Sequence, residues 1–106
     1  MAKFLVHASY TPEGTKGLLK GGATARRKAV EELLASLGGK LEAFYFTFGD
    51  DDAVLIIDLP DAEAALAVGF AVRQSGMVRS RTTVLVPVDE VDRAIERHVH
   101  YTPPGA

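Results

Sequence analysis

The sequence predicts an α+β domain in which four antiparallel strands form one sheet and two helices cover one of its faces. Strand-like and helix-like apolar patterns follow each other in the order β-α-β-β-α-β, and a short amphipathic helix follows them. With 106 residues, of which 47% are hydrophobic and 25% charged, the chain is typical of one globular domain. We expect a single domain over 1–106, with its core over about 3–86 and a C-terminal helix and tail over 87–106.

The first part of the chain supplies a strand and a helix. Apolar and polar residues alternate over Lys3–Ser9, which predicts a strand. Proline and glycine then predict a turn over Tyr10–Gly14, followed by a short helical turn over Thr15–Lys20. Apolar residues at helical spacing indicate a helix over Ala25–Leu37, with Thr24 before it as the N-cap.

A hairpin forms the centre of the predicted fold. Leu41–Phe48 and Ala53–Leu59 are rich in aromatic and branched residues, which favours strands. The acidic segment Gly49–Asp52 between them has the residues of a tight turn. We therefore expect the second and third strands to pair directly.

The second half of the chain repeats the alternation of helix and strand. Asp61 is a suitable N-cap for a helix that ends near Ser75, where Gly76 closes it. Val78–Val86 predicts the fourth strand, and Asp89–His98 a short amphipathic helix. The complete order suits the ferredoxin-like sandwich, in which the first strand lies between the third and the fourth.

The sheet face away from the helices is also apolar in the sequence. Alternation places Leu5, Val54, Ile56 and Leu85 on this second face. Large exposed apolar patches usually mark an interface. We expect a homodimer or a higher homo-oligomer in which two sheets pack face to face. In the alternative, the C-terminal helix covers the face within one chain.

Three ionisable residues are predicted to converge on the second face. His7, Asp58 and Arg81 lie on neighbouring strands, and alternation places all three on the second face. A histidine oriented by a carboxylate, next to a guanidinium, is able to perform acid–base catalysis on a small anionic or carbonyl substrate. The alternative is a network of buried ion pairs, or an ion pair between protomers.

A pocket near these three residues would need further lining side chains. Aromatic, apolar and hydroxyl groups close to the same strands are the candidates. We predict ligand-binding positions at Leu5, Tyr10, Phe44, Tyr45, Ile56, Arg79 and Thr83.

Composition excludes several classes of function. The chain has no cysteine, which excludes disulfides and thiolate chemistry. Fourteen acidic and twelve basic residues give a net charge of −2, which argues against binding to nucleic acid or to an anionic membrane. The apolar runs are too short to span a bilayer, and the N-terminus has no signal-peptide pattern. We expect a cytoplasmic protein.

No metal or cofactor is predicted. The carboxylates of Asp50–Asp52 do not have the spacing of a calcium loop, and His98 and His100 have no third ligand near them in sequence. Basic residues around Gly21–Gly22 lack the pattern of a phosphate-binding loop, so a solvated basic loop is the simpler interpretation.

Several short motifs together resemble the GYD domain family. They are Tyr10-Thr11 with Glu13-Gly14, Leu37-Gly38-Gly39, Phe44-Tyr45 with Gly49-Asp-Asp-Asp52, Pro60-Asp61, and Gly76-Met-Val-Arg79 with Thr82. The family's Gly-x-Tyr-Asp signature departs at one position, where Asp51 replaces the tyrosine. The resemblance implies a ferredoxin-like fold of the dimeric α/β-barrel type and no particular activity.

Three hypotheses of function follow. In the first, two protomers enclose a pocket that binds a small molecule. In the second, the domain is a small cofactor-free isomerase or monooxygenase-like enzyme, in which His7 is the base, Asp58 orients it and Arg81 stabilises an oxyanion. In the third, the domain is a structural subunit of an oligomer without a ligand. The sequence leaves open whether the protein is an enzyme.

Overall fold

The computed structural model describes all residues from Met1 to Ala106 and contains four strands and four helices. In chain order these are β1 (Ala2–Tyr10), α1 (Pro12–Gly21), α2 (Ala23–Ala35), β2 (Lys40–Phe46), β3 (Ala53–Leu59), α3 (Ala62–Ser75), β4 (Val78–Leu85) and α4 (Val88–Ile95). The predicted α+β class is confirmed.

The four strands form one sheet in the order β2-β3-β1-β4, and every neighbouring pair is antiparallel. This is the strand order of the ferredoxin-like sandwich, with β1 between β3 and β4 as predicted. Together with α2 and α3, the sheet makes the two-layer arrangement expected from the element order.

The predicted ends of the two main helices have clear local causes. The Asp61 carboxylate accepts a hydrogen bond from the Ala64 N–H at 2.8 Å and caps the start of α3. Gly76 ends that helix in the left-handed region, at φ 68°. After α2, Gly38 has φ 76°, and the Gly39 N–H donates to the Leu34 carbonyl at 2.8 Å. This is the Schellman geometry that glycine permits.

The predicted turn over Tyr10–Gly14 is wrong, because α1 begins there. Thr11 is the N-cap of α1: its Oγ1 accepts the Gly14 N–H at 3.1 Å. Pro12 occupies the first helical position, where the missing N–H has no cost. The same residues thus start a ten-residue helix. The helix α2 also starts earlier than predicted, after Gly22 rather than Thr24.

The hydrophobic core lies between the helices and one face of the sheet. Leu34 from α2 and Leu59 from β3 are the largest fully buried side chains. The rest of the buried apolar cluster is Phe4, Ala8, Val30, Ala53, Leu55, Ile57, Ala64 and Val78. All of its strand residues lie on the same face of the sheet, so the sheet has one covered face.

A bulge in β2 interrupts the regular alternation of faces along that strand. The register with β3 shifts between Leu41 and Ala43, so that Leu41 is opposite Ile57 while Ala43 is opposite Ile56. Leu41 therefore lies on the covered face together with Phe44, rather than across from it. The strand ends at Phe46 instead of Phe48.

The C-terminal helix does not cover the sheet, so the single-chain alternative is wrong. No residue of α4 is buried, and its apolar side chains Val88, Val91 and Ile95 are exposed.

The chain has a radius of gyration of 17.2 Å, compared with roughly 13 Å for a compact domain of this length. None of the four helices has the length and apolarity needed to cross a membrane.

Candidate functional site

The uncovered side of the sheet, called the open face from here on, carries most of the predicted site residues. The strand registers place alternate residues on it, and the helices that pack on the sheet lie on the other side. Its members are Lys3, Leu5, His7, Ser9, Lys40, Ala43, Tyr45, Val54, Ile56, Asp58, Arg79, Arg81, Thr83 and Leu85.

The centre of the open face is apolar. Leu5 of β1 is opposite Ile56 of β3 on one side and Thr83 of β4 on the other. Leu5, Val54 and Ile56 are half-buried by their neighbours within the sheet alone. The predicted positions Leu5, Ile56 and Thr83 are thus brought together.

A cationic cluster lies beside this apolar centre. His7 is directly opposite Arg81, and Ser9 is opposite Arg79. These four side chains, with Asp51 and Ser80, line a shallow cavity of about 180 Å³. Arg81 donates to Asp51 Oδ2 at 3.1 Å, whereas the His7 Nδ1 is buried and has no hydrogen-bond partner. His7 thus has no hydrogen-bond partner at Nδ1 within the chain, and Arg79 and Arg81 place two guanidinium groups beside it.

A second charged cluster lies at the other end of β1. The Lys3 ammonium donates to Glu42 Oε1 at 2.7 Å and to Asp58 Oδ1 at 2.9 Å. The hydrogen bond to Glu42, and next the one to Asp58, raise the pKa of Lys3 above its ordinary value. Asp58 is only 6% exposed, so Lys3 is the cation that balances this buried carboxylate.

The predicted convergence of Asp58 with His7 is wrong. Asp58 is opposite Lys3, four residues along β1 from His7, which corresponds to roughly 13 Å at the rise of a strand. Alternation correctly assigned all three predicted residues to one face. Alternation does not determine the register between β3 and β1, and the observed register separates the Asp58 carboxylate from His7.

Two predicted ligand positions, Tyr10 and Phe44, lie on the covered face instead. Phe44 is opposite Leu55 and packs against the core. Tyr10 is opposite Val78, and its ring stacks on Phe46 with 6.5 Å between the ring centroids. By contrast, Tyr45 is opposite Val54 on the open face and is 70% exposed.

Sequence reasoning missed four polar contributors to these clusters. Ser9 and Lys3 follow the parity of His7, so the alternation of β1 was sufficient to find them. Glu42 reaches Lys3 from the bulge of β2, and Asp51 reaches Arg81 from the loop after β2. Neither a bulge nor a loop conformation has a simple periodic signal. No three histidine or acidic side chains come close enough together to hold a metal ion.

Two of the sequence motifs, Tyr10–Gly14 and Gly76–Arg79, are in contact in the structure. Thr11 Oγ1 donates to the Gly76 carbonyl at 2.9 Å, and the Thr11 N–H donates to the Met77 carbonyl at 3.0 Å. Gly14 packs so closely on Met77 that a Cβ atom would overlap the Met77 carbonyl oxygen. The start of α1 is therefore locked to the start of β4 through the backbone.

The acidic turn after β2 is tied to the end of β1. The Asp52 carboxylate accepts the Tyr10 N–H at 2.8 Å, and the Asp52 N–H donates to the Ala8 carbonyl at 2.9 Å. Gly49 has φ 102°, a conformation that favours glycine. Gly49 and Asp52 thus build the turn, while Asp51 between them pairs with Arg81.

The fold is a ferredoxin-like α+β domain with one open sheet face. The residues of its sequence motifs join the elements of this fold to one another, and these features together define the class of protein. The family model of the GYD domain matches residues 4–95, and the chain belongs to the GYD domain family. No curated protein matches the chain. Among solved structures, the crystal structure of FFRP-DM1 is similar, with 15% identity and a TM-score of 0.49 over 81% of this chain and 100% of that chain.

Proposed function

We propose that two copies of the domain pair through their open faces and enclose a pocket that binds a small anionic or carbonyl-bearing molecule. The observation that carries this proposal is the uncovered apolar centre of the sheet with the cluster of His7, Arg79 and Arg81 beside it. The apolar centre supports the pairing, and the cluster supports the ligand.

The pairing follows from what the single chain leaves uncovered. Leu5, Val54 and Ile56 form a continuous apolar strip across β1 and β3, and no helix of the same chain packs on it. Two sheets that pack face to face lie about 10 Å apart and bury both strips at once. A second copy supplies a matching strip by symmetry.

The ligand chemistry follows from the charge balance of the cluster. Arg79 and Arg81 bring two cations, and Asp51 is the only carboxylate that lines the cavity with them. Arginine pairs with carboxylate or phosphate oxygens through two parallel hydrogen bonds. A small anion, or a polarised carbonyl group, therefore complements the cluster when it is removed from water.

Binding is favoured over catalysis by the position of the carboxylates. Asp58 is hydrogen-bonded to Lys3 and Asp51 to Arg81, and His7 forms no hydrogen bond to either. A general base normally has a partner that fixes its tautomer and orientation. The alternative enzyme would need the ligand or the second copy to supply that partner.

Native mass spectrometry of the purified protein tests the proposal. The proposal predicts an even-numbered oligomer that carries a small molecule, which denaturation releases. An oligomer that carries no ligand, and acquires none from a screen of small anions and carbonyl compounds, would contradict the pocket and favour the structural-subunit hypothesis. A monomer would remove the pocket.

A pair of matched arginine variants locates the ligand. Arg81 and Arg93 have side chains that are 66% and 67% exposed, and each pairs with one aspartate. Arg81→Gln is expected to weaken ligand retention about tenfold, because a charge-assisted hydrogen bond is lost. Arg93→Gln, on α4, is expected to retain the ligand. Equal retention by both variants would contradict the assignment of the cluster.

A further inference from the structure

A second cavity lies on the covered side of the sheet, between α2, α3 and the strands. It has a volume of about 60 Å³, and thirteen of its seventeen lining residues are hydrophobic. Val30 of α2, Val68 and Val72 of α3, and Phe44 of β2 are among them. A volume of this size accommodates several water-sized groups, which is room for a short hydrocarbon segment.

Arg26 is the only charged residue that lines this cavity. Its guanidinium carbon is 6.0 Å from the centroid of the Tyr10 ring, and its Nε is buried without a hydrogen-bond partner. Arg26 forms no ion pair with any carboxylate of the chain. A partly buried arginine that lacks both a hydrogen bond at Nε and a counter-charge leaves a position for an anion.

The same arginine also borders an opening between α1 and α2. This opening is lined by several glycines, and the only carboxylate on it, that of Glu13, is paired with Lys16 at 3.4 Å. Arg26 thus lies where an apolar interior meets a polar entrance. That arrangement matches a molecule with an apolar body and one anionic end.

We propose that this cavity binds a small amphiphilic carboxylate, with its hydrocarbon body among the apolar side chains and its carboxylate on Arg26. The guanidinium would accept the carboxylate in the fork geometry that arginine provides, and the Tyr10 ring would support the guanidinium from its other side. The site lies within one protomer and on the opposite side of the sheet from the pocket proposed above. It therefore does not depend on pairing of the open faces.

An NMR titration of the full chain with sodium hexanoate tests this site. The expected result is saturable shifts of the Val30 and Val68 methyl signals. In Arg26→Gln, hexanoate is expected to bind at least about tenfold more weakly, because the charge-assisted bond is lost. Arg27→Gln is the matched control: Arg27 is the exposed neighbour on α2 and does not line the cavity, so its affinity should stay within about twofold.

A second variant tests the cavity rather than the charge. A Cβ atom added at Gly69 of α3 meets no other atom within 4 Å, and Gly69 lines the cavity. Gly69→Leu is therefore expected to keep the fold and to reduce hexanoate affinity at least fivefold. Three results would overturn the proposal: equal affinity of Arg26→Gln and Arg27→Gln, unchanged affinity of Gly69→Leu, or shifts confined to Leu5 and Ile56 on the open face.

Discussion

Both faces of the sheet have an apolar centre, and the two centres have opposite fates in the structure. On the covered face, β1 and β3 contribute Phe4, Leu55 and Leu59 to a buried core. On the open face, the equivalent central residues Leu5 and Ile56 are only half-buried. Strand alternation therefore identifies which residues share a face. What covers that face has to come from the helices or from another copy.

The largest expected effect is the difference in stability loss between two leucine substitutions, one in the core on the covered face and one on the open face. Leu34→Ala removes a side chain that is 1% exposed in the core, and should lower the free energy of unfolding by about 2–5 kcal/mol. Leu85→Ala, at the edge of the open face, should cost less than about 1 kcal/mol at a dilution at which the protein is monomeric, because Leu85 is only half-buried in the single chain. Urea unfolding followed by circular dichroism measures both. Equal losses would mean that the faces are not energetically distinct.

The next effect concerns assembly instead of folding. Ile56→Lys introduces a charge at the centre of the open face and is expected to dissociate the oligomer while its circular dichroism spectrum stays unchanged. Ala67→Lys, on the exposed surface of α3, is the control and should leave the oligomer intact. Gel filtration with light scattering reports the mass of each variant. An oligomer that survives Ile56→Lys would assign the interface to another surface.

A smaller effect is expected at the one buried carboxylate of the open face. Asp58→Asn weakens the interaction with Lys3 and should cost about 1–2 kcal/mol in thermal or urea unfolding. The corresponding change Asp89→Asn affects an exposed pair with Arg93 and should cost less than about 0.5 kcal/mol. A loss at Asp89 as large as that at Asp58 would contradict the structural weight given to the buried carboxylate.

The smallest effect is a dependence of stability on alkaline pH. Folding raises the pKa of Lys3 above its ordinary value of 10.5, so its contribution to stability is complete below that pH. The contribution decreases as the pH rises through the folded-state pKa. Wild type should therefore lose more stability than Lys3→Met between pH 9 and about pH 11, measured by urea unfolding. Parallel pH profiles of the two proteins would contradict this linkage.

Local signals in the sequence were sufficient for most of the fold. Asp61 and Gly76 marked the ends of α3 because a cap and a left-handed glycine act through adjacent backbone groups. The start of α1 was missed because a capping threonine followed by proline resembles a turn until the Gly14 N–H is seen to bond to Thr11. Proline at the first position is compatible with either structure.

The candidate site was less predictable because it depends on register and on loops. His7 and Arg81 were correctly placed on one face, and β1 and β4 bring them directly opposite each other. Asp58 was misplaced along that face, because periodicity does not define the offset between strands. Phe44 was predicted to line the pocket together with Tyr45, but adjacent strand residues point to opposite faces, and Phe44 lies on the covered face.

The central claim is that a second copy covers the open face. Sedimentation equilibrium of the wild-type protein at micromolar concentration tests it most directly. The expected mass is twice the chain mass of 11.3 kDa, or another even multiple of the chain mass, and Ile56→Lys is expected to return to 11.3 kDa. A wild-type protein that remains at 11.3 kDa throughout the concentration range would contradict it.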